Sequence, residues 1–308
     1  MSTLLWAGIC LGEPGWETVV TGPVTVKNRA LPGSPIKEVW AEGEVNAPLI
    51  DVQDALMNVS RLKSFLSCRL KFYYEKVRGL RPPTSPNFQI GKAVHAGLQH
   101  FHTARWRGGD ASPEPVVQAY HAAFADLEKD DPVDYGDKDR QECVDTGERV
   151  LRAYLASERA TDPRRILGVE VYLRMETGTL PIPLVGVLDL VVEGNVPIDF
   201  KTVHSTPDLE DEAWQNEIQL SAYHLLMADA TGEVPGPGEL VYLAKLKTPK
   251  VITQTLPPVD ATRIGRFAAL AERYVEGVRR EEYYPSPGMA CRWCSFRRQC
   301  AAWEGGGE

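Results

Sequence analysis

Two apolar segments that flank a short turn predict a β-hairpin in the second half of the chain. Residues 184–192 read Leu-Val-Gly-Val-Leu-Asp-Leu-Val-Val, residues 196–201 read Val-Pro-Ile-Asp-Phe-Lys, and a Glu-Gly-Asn turn separates them. A turn centred on Gly194 pairs residues that are equally distant from it. Asp189 and Asp199 are therefore expected to face each other, with Cβ atoms about 4.5–5.5 Å apart.

Two aspartates in such apolar strands need a positive charge nearby. Like charges that face each other are unfavourable unless a cation lies between them. Lys201 follows Asp199 by two residues and therefore projects from the same face of its strand. Two carboxylates and an amine can together hold a divalent cation, orient a water molecule and stabilise a developing oxyanion. The alternative is a solvated strand face that carries ordinary surface charges.

Three of the six cysteines, Cys291, Cys294 and Cys300, cluster near the C-terminus. Without a recognisable secretory signal, such a cluster favours a metal site over a disulfide. Structural zinc sites usually combine two Cys/His pairs. Here one pair accompanies lone cysteines, which favours a [4Fe–4S] cluster, with zinc or free thiols as the alternatives. The fourth ligand must come from elsewhere in the chain, where Cys10, Cys68 and Cys143 are the candidates.

The remaining pattern predicts several helices followed by alternating strands and helices, and so an α/β or α+β domain. Helices are expected from Asn58 to Tyr73, over 88–106, twice within 115–160, over 211–229 and over 260–282; strands are expected over 166–174, 184–201, 239–246 and 251–256. Residues 1–57 are expected to form short strands and turns of unknown role, at Val24–Lys27 and Glu38–Glu42. The Gly-rich tail, 304–308, is expected to be disordered.

A basic segment lies between residues 61 and 81, in a chain of net charge −8. The overall charge argues against a nucleic-acid binder that uses its whole surface, but phosphate contacts are local. The basic residues are Arg61, Lys63, Arg69, Lys71, Lys76, Arg78 and Arg81, and the nearby aromatic residues Phe72, Tyr73, Tyr74 and Trp293 are candidates for stacking on unpaired bases. The alternative is a solvated helix whose aromatic side chains are packed inside.

Other classes of protein are disfavoured. No segment approaches the roughly 18 apolar residues of a membrane helix. The apolar stretch Leu4–Leu11 is short and follows no basic residue, so it is a poor signal peptide, and a cytoplasmic protein without a membrane partner is expected. The sequence contains no G-x-x-x-x-G-K-[ST] motif, so any helicase motor must be a partner protein.

Taken together, these motifs resemble the PD-(D/E)XK nuclease superfamily over about residues 58–303. Gly186-Val-Leu-Asp189 followed by Ile198-Asp-Phe-Lys-Thr202 is similar to its G-x-x-D … D-x-K core. Two further segments are similar to the histidine-bearing helix and the Q-x-x-x-Y motif of the RecB-like branch: Gly91-Lys-Ala-Val-His95 and Gln219-Leu-Ser-Ala-Tyr223. Cys68 with Cys291-x2-Cys294-x5-Cys300 resembles the iron–sulfur version found in AddB-type nucleases and CRISPR-associated exonucleases.

The resemblance implies a restriction-endonuclease-like α/β core, with a central mixed sheet flanked by helices, a helical insertion around 107–160 and a C-terminal iron–sulfur knuckle. The implied ligands of Mg²⁺ or Mn²⁺ are His95, Asp189, Asp199 and the backbone carbonyl of Phe200. Lys201 would position the attacking water or stabilise the pentacoordinate phosphate. DNA contacts are implied for Gln219 and Tyr223, and Arg61, Lys63, Arg69 and Lys71 are further candidates. Glu170 occupies a strand where the family often carries an acidic residue, and the implied cluster ligands are Cys68, Cys291, Cys294 and Cys300.

We therefore expect a metal-dependent deoxyribonuclease, acting as an exonuclease on single strands or duplex ends in recombination, repair or CRISPR adaptation. Its partner would be a helicase, a recombinase or a CRISPR integrase. The alternative is a non-catalytic scaffold that binds DNA ends and keeps a structural metal or iron–sulfur site.

Overall fold

The secondary structure follows the predicted order of helices and strands. The structure, a computed structural model, describes residues 56–176 and 182–305, apart from the side chain of Asp130. The strands expected at Val24–Lys27 and Glu38–Glu42 lie outside the described residues. The α-helices are Val59–Ser67 (α1), Arg69–Phe72 (α2), Pro86–Arg107 (α3), Pro113–Asp130 (α4), Arg140–Leu155 (α5), Leu209–Gln215 (α6), Glu217–Thr231 (α7), Ala261–Arg279 (α8) and Arg297–Ala301 (α9); the strands are Ile166–Met175 (β1), Leu184–Val192 (β2), Val196–Val203 (β3), Glu239–Ala244 (β4) and Lys250–Thr255 (β5). Within the described part of the chain, no helix has both the length and the apolar character that a membrane span requires.

The five strands form one mixed sheet in the order β1-β2-β3-β4-β5. Strands β1, β2 and β3 are antiparallel neighbours, β3 and β4 run parallel, and β5 is antiparallel to β4. A parallel pair needs a crossover connection, which α6 and α7 provide. The predicted α/β architecture with a central mixed sheet is confirmed.

The hairpin of β2 and β3 has the predicted register. Gly194 (φ +84°) and Asn195 (φ +52°) adopt left-handed conformations in the turn, which glycine and asparagine tolerate best. Ladder pairs run from Val192–Val196 to Leu190–Ile198. The ladder ends there, so the next residues along each strand, Asp189 and Asp199, lie at the point where regular β2–β3 pairing stops.

Helices cover both faces of the sheet. Val241 and Leu243 face the core beneath α3, α4 and α5, whereas Leu240 and Tyr242 face the side covered by α6 and α7, as strand alternation requires. The region expected to be a helical insertion therefore contributes α4 and α5 to the main core. On the opposite side, α1, α7 and α8 share a second apolar cluster around Phe65.

Two helices that the sequence predicts as continuous are broken. The first begins as expected, because Oδ1 of Asn58 accepts a hydrogen bond from the N–H of Arg61 at 2.8 Å. Cys68 then has an extended backbone (φ −161°, ψ 113°), which ends α1 and precedes α2. The helix predicted over 211–229 is similarly divided at Asn216 into α6 and α7. The apolar spacing continues across both breaks and does not reveal them.

Candidate active site and cysteine cluster

A histidine and two carboxylates converge where α3 crosses β1 and β2. The ligand atoms of His95, Glu170 and Asp189 all lie within 4.8 Å of one another. Nδ1 of His95 is 3.5 Å from Oδ1 of Asp189. Glu170 falls opposite Asp189 in the register, because Val169 pairs with Leu190 and Val171 with Leu188 on either side. Carboxylate oxygens and an imidazole make a donor set that suits a divalent cation such as Mn²⁺ or Mg²⁺.

The backbone of Glu170 is strained. Its φ of +50° lies in the left-handed region, which a glutamate in a strand rarely adopts. Strain of this kind concentrates at functional sites. The sequence indicates Glu170 only through the resemblance, whereas the structure places its carboxylate with His95 and Asp189.

Asp199 lies beside this group but is not part of the three-residue set. The residue is 4% exposed, and its Oδ1 accepts a hydrogen bond from Nε2 of Gln219 at 2.7 Å. Its Oδ2 lies 2.8 Å from Nζ of Lys201, yet among the described residues this buried oxygen has no partner in hydrogen-bond geometry. A buried carboxylate oxygen is normally satisfied, and a cation could satisfy this one. The donor set and this oxygen together fit a divalent ion.

Asp189 is held by the backbone of the neighbouring strand. Its Oδ2 accepts a hydrogen bond from the N–H of Phe200 at 2.8 Å. The ring of Phe200 is buried and stacks on His102, with ring centres 5.5 Å apart. These contacts fix the position of the Phe200 peptide, and its carbonyl stays a predicted ligand.

Lys201 is oriented by the Q-x-x-x-Y motif on α7. Its Nζ donates a hydrogen bond to Oε1 of Gln219 at 2.8 Å, while Nε2 of Gln219 lies 2.7 Å from the hydroxyl of Tyr223. This hydroxyl is also 3.2 Å from Oδ1 of Asp199 and 3.0 Å from the carbonyl of Val187. Tyr223 is only 5% exposed. Gln219 and Tyr223, the residues expected to contact DNA, therefore brace Lys201 and Asp199 in this structure.

The site retains protons that an ion would replace. Burial raises the pKa of Asp199, as does Asp189, while Lys201 opposes them. Burial alone would lower the pKa of His95, but Asp189, with help from Asp199 and Glu170, raises it to about 9. Burial alone would raise the pKa of Asp189, but His95 keeps this pKa below its ordinary value. Burial and then Asp189 raise the pKa of Glu170 to about 7.

One residue of the basic segment lies next to the site. The ammonium of Lys63 on α1 donates a hydrogen bond to the carbonyl of Gln215 at 3.0 Å. Burial lowers its pKa, and the nearby charge of Lys201 lowers it further, while Asp199 acts in the opposite direction. Lys63 and Lys201 thus bring two positive charges from different elements toward Asp199.

The other predicted DNA contacts have partners within the protein. Arg69 forms an ion pair with Glu282, and its guanidinium lies over two aromatic rings, Phe65 and Tyr284. The remaining pairs are Arg61 with the Tyr274 hydroxyl (3.3 Å) and Lys71 with Glu75 (3.5 Å). Phe72 is fully buried against Phe65 and Tyr274, so its proposed stacking on bases is wrong.

The four cysteines of the predicted cluster lie near one another. Cys68 is at the break between α1 and α2, and Cys300 is in α9, close to the 3₁₀ turn that carries Cys291 and precedes Cys294. Burial raises the pKa of the Cys300 thiol, and the Cys68, Cys291 and Cys294 thiols raise it further, so all three are within electrostatic reach. Cys143 instead is buried in the main core.

Comparison with known proteins agrees with this architecture. Residues 57–301 match the family model of the PD-(D/E)XK nuclease superfamily. A presumptive exonuclease from Eubacterium rectale has a similar fold, with a TM-score of 0.55 and 16% identity over 82% of this chain and 90% of that chain. The structure of SSO0001 also matches, with a TM-score of 0.33 and 16% identity over 79% of this chain and 95% of that chain. The curated proteins include no match. Because the family model covers most of the sequence, this chain belongs to the PD-(D/E)XK nuclease superfamily.

Proposed function

We propose that the chain is a Mg²⁺- or Mn²⁺-dependent DNA nuclease that hydrolyses phosphodiester bonds as an exonuclease on single strands or duplex ends. The observation that carries the proposal is the convergence of His95, Glu170 and Asp189 beside Asp199 and Lys201. Membership of the superfamily supports the nuclease class. The name given to the Eubacterium rectale protein favours exonuclease action.

The acidic side chains and the histidine would hold the ion. His95, Glu170 and Asp189 supply the preassembled donors, and the unsatisfied Oδ2 of Asp199 supplies another. A bound divalent ion would lower the pKa of an attacking water and polarise a phosphoryl oxygen. The carbonyl of Phe200 is a further proposed ligand.

Lys201 would stabilise negative charge on the phosphate during the reaction. Its hydrogen bond to Gln219 and its ion pair with Asp199 hold the ammonium in place. A donor that is already oriented stabilises developing charge without reorganisation. We therefore assign Gln219 and Tyr223 as positioning residues for Lys201 and Asp199. Lys63 would bind a phosphate of the substrate strand next to Lys201, and Arg61, Arg69 and Lys71 would contribute weaker contacts, because each already has a partner.

The cysteines would hold a [4Fe–4S] cluster. One Cys-x2-Cys pair with two lone cysteines, rather than two Cys/His pairs, favours such a cluster over structural zinc. The cluster's role would be structural, joining Cys68 to the C-terminal residues. Work in recombination, repair or CRISPR adaptation, with a motor or integrase as partner, fits a chain that lacks a nucleotide-binding loop.

A cleavage assay tests the nuclease function. We expect the wild type to degrade linear DNA in Mg²⁺, to leave circular DNA intact and to lose activity in chelator. Asp199→Asn should be reduced at least about 100-fold. Asp137→Asn, which changes an exposed aspartate, is the matched control and should cleave normally. Equal cleavage by wild type and Asp199→Asn would contradict the proposal, and DNA-end binding without cleavage by either would favour the scaffold.

A further inference from the structure

An exposed apolar pair lies next to the carboxylates on the β1–β2 hairpin. Tyr172 and Val187 are 57% and 43% exposed, and they face each other across the two strands. Tyr172 lies two residues beyond Glu170 on β1, and Val187 lies two residues before Asp189 on β2. Two residues correspond to about 7 Å along a strand. Among the strands of the described residues, β1 lies at the edge of the sheet.

The pair projects on the same side of β2 as the candidate metal ligands. Leu188 packs against α7, and a Cβ placed on Gly186 would touch Leu226 of α7. Since side chains alternate along a strand, Val187 and Asp189 project away from α7. Asp189 contacts His95 on α3 in that direction. The exposed apolar pair and the candidate metal-binding donors therefore lie on the same side of the β1–β2 hairpin.

The side chain of Tyr172 has no polar or aromatic partner within the described part of the protein. There, its ring makes no aromatic or cation–π contact and its hydroxyl forms no hydrogen bond. Most other aromatic rings of the domain pack against a neighbour, as Phe72 does with Tyr274. An unpartnered ring two residues along the strand from a candidate metal ligand is placed to meet the nucleotide next to the scissile phosphate.

We propose that Tyr172, supported by Val187, stacks on an unpaired base of the substrate strand and so gives the nuclease a preference for single-stranded DNA next to the cut. This inference rests on the proposed function. The base is the favoured occupant because an exposed aromatic ring beside an aliphatic side chain offers a stacking surface, while neither side chain carries a positive charge that could bind a phosphate. A base in a duplex has its faces covered by its neighbours, so the contact requires an unpaired base.

The size of the surface argues against a protein partner. A stable protein–protein interface buries about 800 Å² on each side. A tyrosine and a valine that are each about half exposed offer at most a few hundred Å². This area matches one base rather than a second copy of the chain.

Binding measurements with the full chain test the proposal. The variants are Tyr172→Val, which keeps strand propensity and removes the ring, and Tyr172→Trp, which keeps a stacking surface. Affinities are measured with a labelled single-stranded oligonucleotide and with a blunt duplex, in Ca²⁺. A 2-aminopurine base placed at successive positions reports stacking through its fluorescence. Phe88→Ala, which removes a comparably exposed ring from α3, is the control.

We expect Tyr172→Val to bind the single strand about tenfold more weakly, with unchanged duplex binding and unchanged melting temperature. Tyr172→Trp should bind normally and quench 2-aminopurine at one position. Unchanged single-strand binding by Tyr172→Val would overturn the inference. An equal loss of single-strand affinity in Phe88→Ala would also overturn it. So would a Tyr172→Val variant that binds DNA normally but no longer associates with a second copy of the chain. A wild type that binds DNA while Tyr172→Val is unaffected overturns this inference alone. A wild type that binds no DNA overturns the proposed function with it.

Discussion

The carboxylate of Asp189 accepts a hydrogen bond from the backbone N–H of Phe200, the residue that follows Asp199. This bond forms just beyond the last ladder pair, Leu190–Ile198, so a side chain takes the place of a backbone acceptor between β2 and β3. It fixes the carboxylate of Asp189 relative to the backbone that carries Asp199. A slip of one residue in the hairpin would remove this bond and turn the aspartates to different faces.

Raising the pH should destabilise the protein through Glu170 when divalent cations are absent. Its pKa is about 7 in the folded chain, against an ordinary value of 4.5. Between these values the folded state binds more protons than the unfolded state, so stability falls as the pH rises. Melting temperatures measured from pH 4.5 to 7 without divalent cations should fall less steeply in Glu170→Gln than in the wild type. Parallel curves for the two proteins would count against a buried, proton-retaining Glu170.

Binding of Mn²⁺ should release protons, most of them from His95. With a pKa of about 9, this side chain is charged at pH 7.5 and must lose its proton to become a ligand. Affinity should therefore rise from pH 7 to 9. Calorimetry in two buffers of different ionisation enthalpy should give close to one proton released by the wild type and much less by His95→Ala, with at least about tenfold weaker binding. His121→Ala, which changes a surface histidine paired with Glu148, should behave as the wild type does.

Replacing Lys63 should weaken substrate binding and reduce its dependence on salt. On a single strand, a phosphate contact contributes about 0.7 to the slope of log affinity against log salt concentration. Lys63→Met should lower that slope by about 0.7 for single-stranded DNA without lowering the melting temperature, since the burial of Lys63 near Lys201 is unfavourable in the free protein. Lys250→Met removes an exposed lysine at the start of β5 and should leave the slope unchanged. An unchanged slope in Lys63→Met would show that its ammonium meets no phosphate.

Loss of one cluster ligand should remove the colour of the protein. Anaerobically purified wild type should absorb broadly near ~400 nm and contain iron. Cys68→Ser should lose this absorbance and melt at lower temperature, whereas Cys143→Ser should keep the absorbance because Cys143 lies in the main core. A colourless wild type that contains zinc would refute the iron–sulfur assignment and leave the nuclease proposal intact.

The sequence predicts the hairpin register because a short turn around Gly194 determines which residues pair. Apolar alternation and helical spacing likewise indicate the strands and most helices, since burial of one face depends on local periodicity. The hydrogen bonds that Gln219 forms with Lys201 and Asp199 cannot be predicted in this way. Its four-residue spacing from Tyr223 places both on one helix face, but only the tertiary structure brings that face against Lys201 and Asp199.

The sequence pattern also does not predict the backbone irregularities at Glu170 and Cys68. Glu170 reaches the donor group with a φ of +50°, in a strand whose register shifts near Gly168. Cys68 interrupts a helix whose apolar spacing continues on both sides. In each case the local sequence favours regular structure, and contacts from distant residues impose the exception.

The break at Cys68 makes α2 depend on residues that follow α8. Arg69 pairs with Glu282, and the N–H of Leu70 donates a hydrogen bond to the carbonyl of Tyr284 at 3.0 Å. A protease that trimmed the chain after Glu281 would spare His95, Glu170, Asp189 and Asp199, yet it would remove both contacts that hold α2. Such a clipped chain would also lose Cys291, Cys294 and Cys300, so the candidate metal ligands and the candidate cluster ligands would be separated by a single cut.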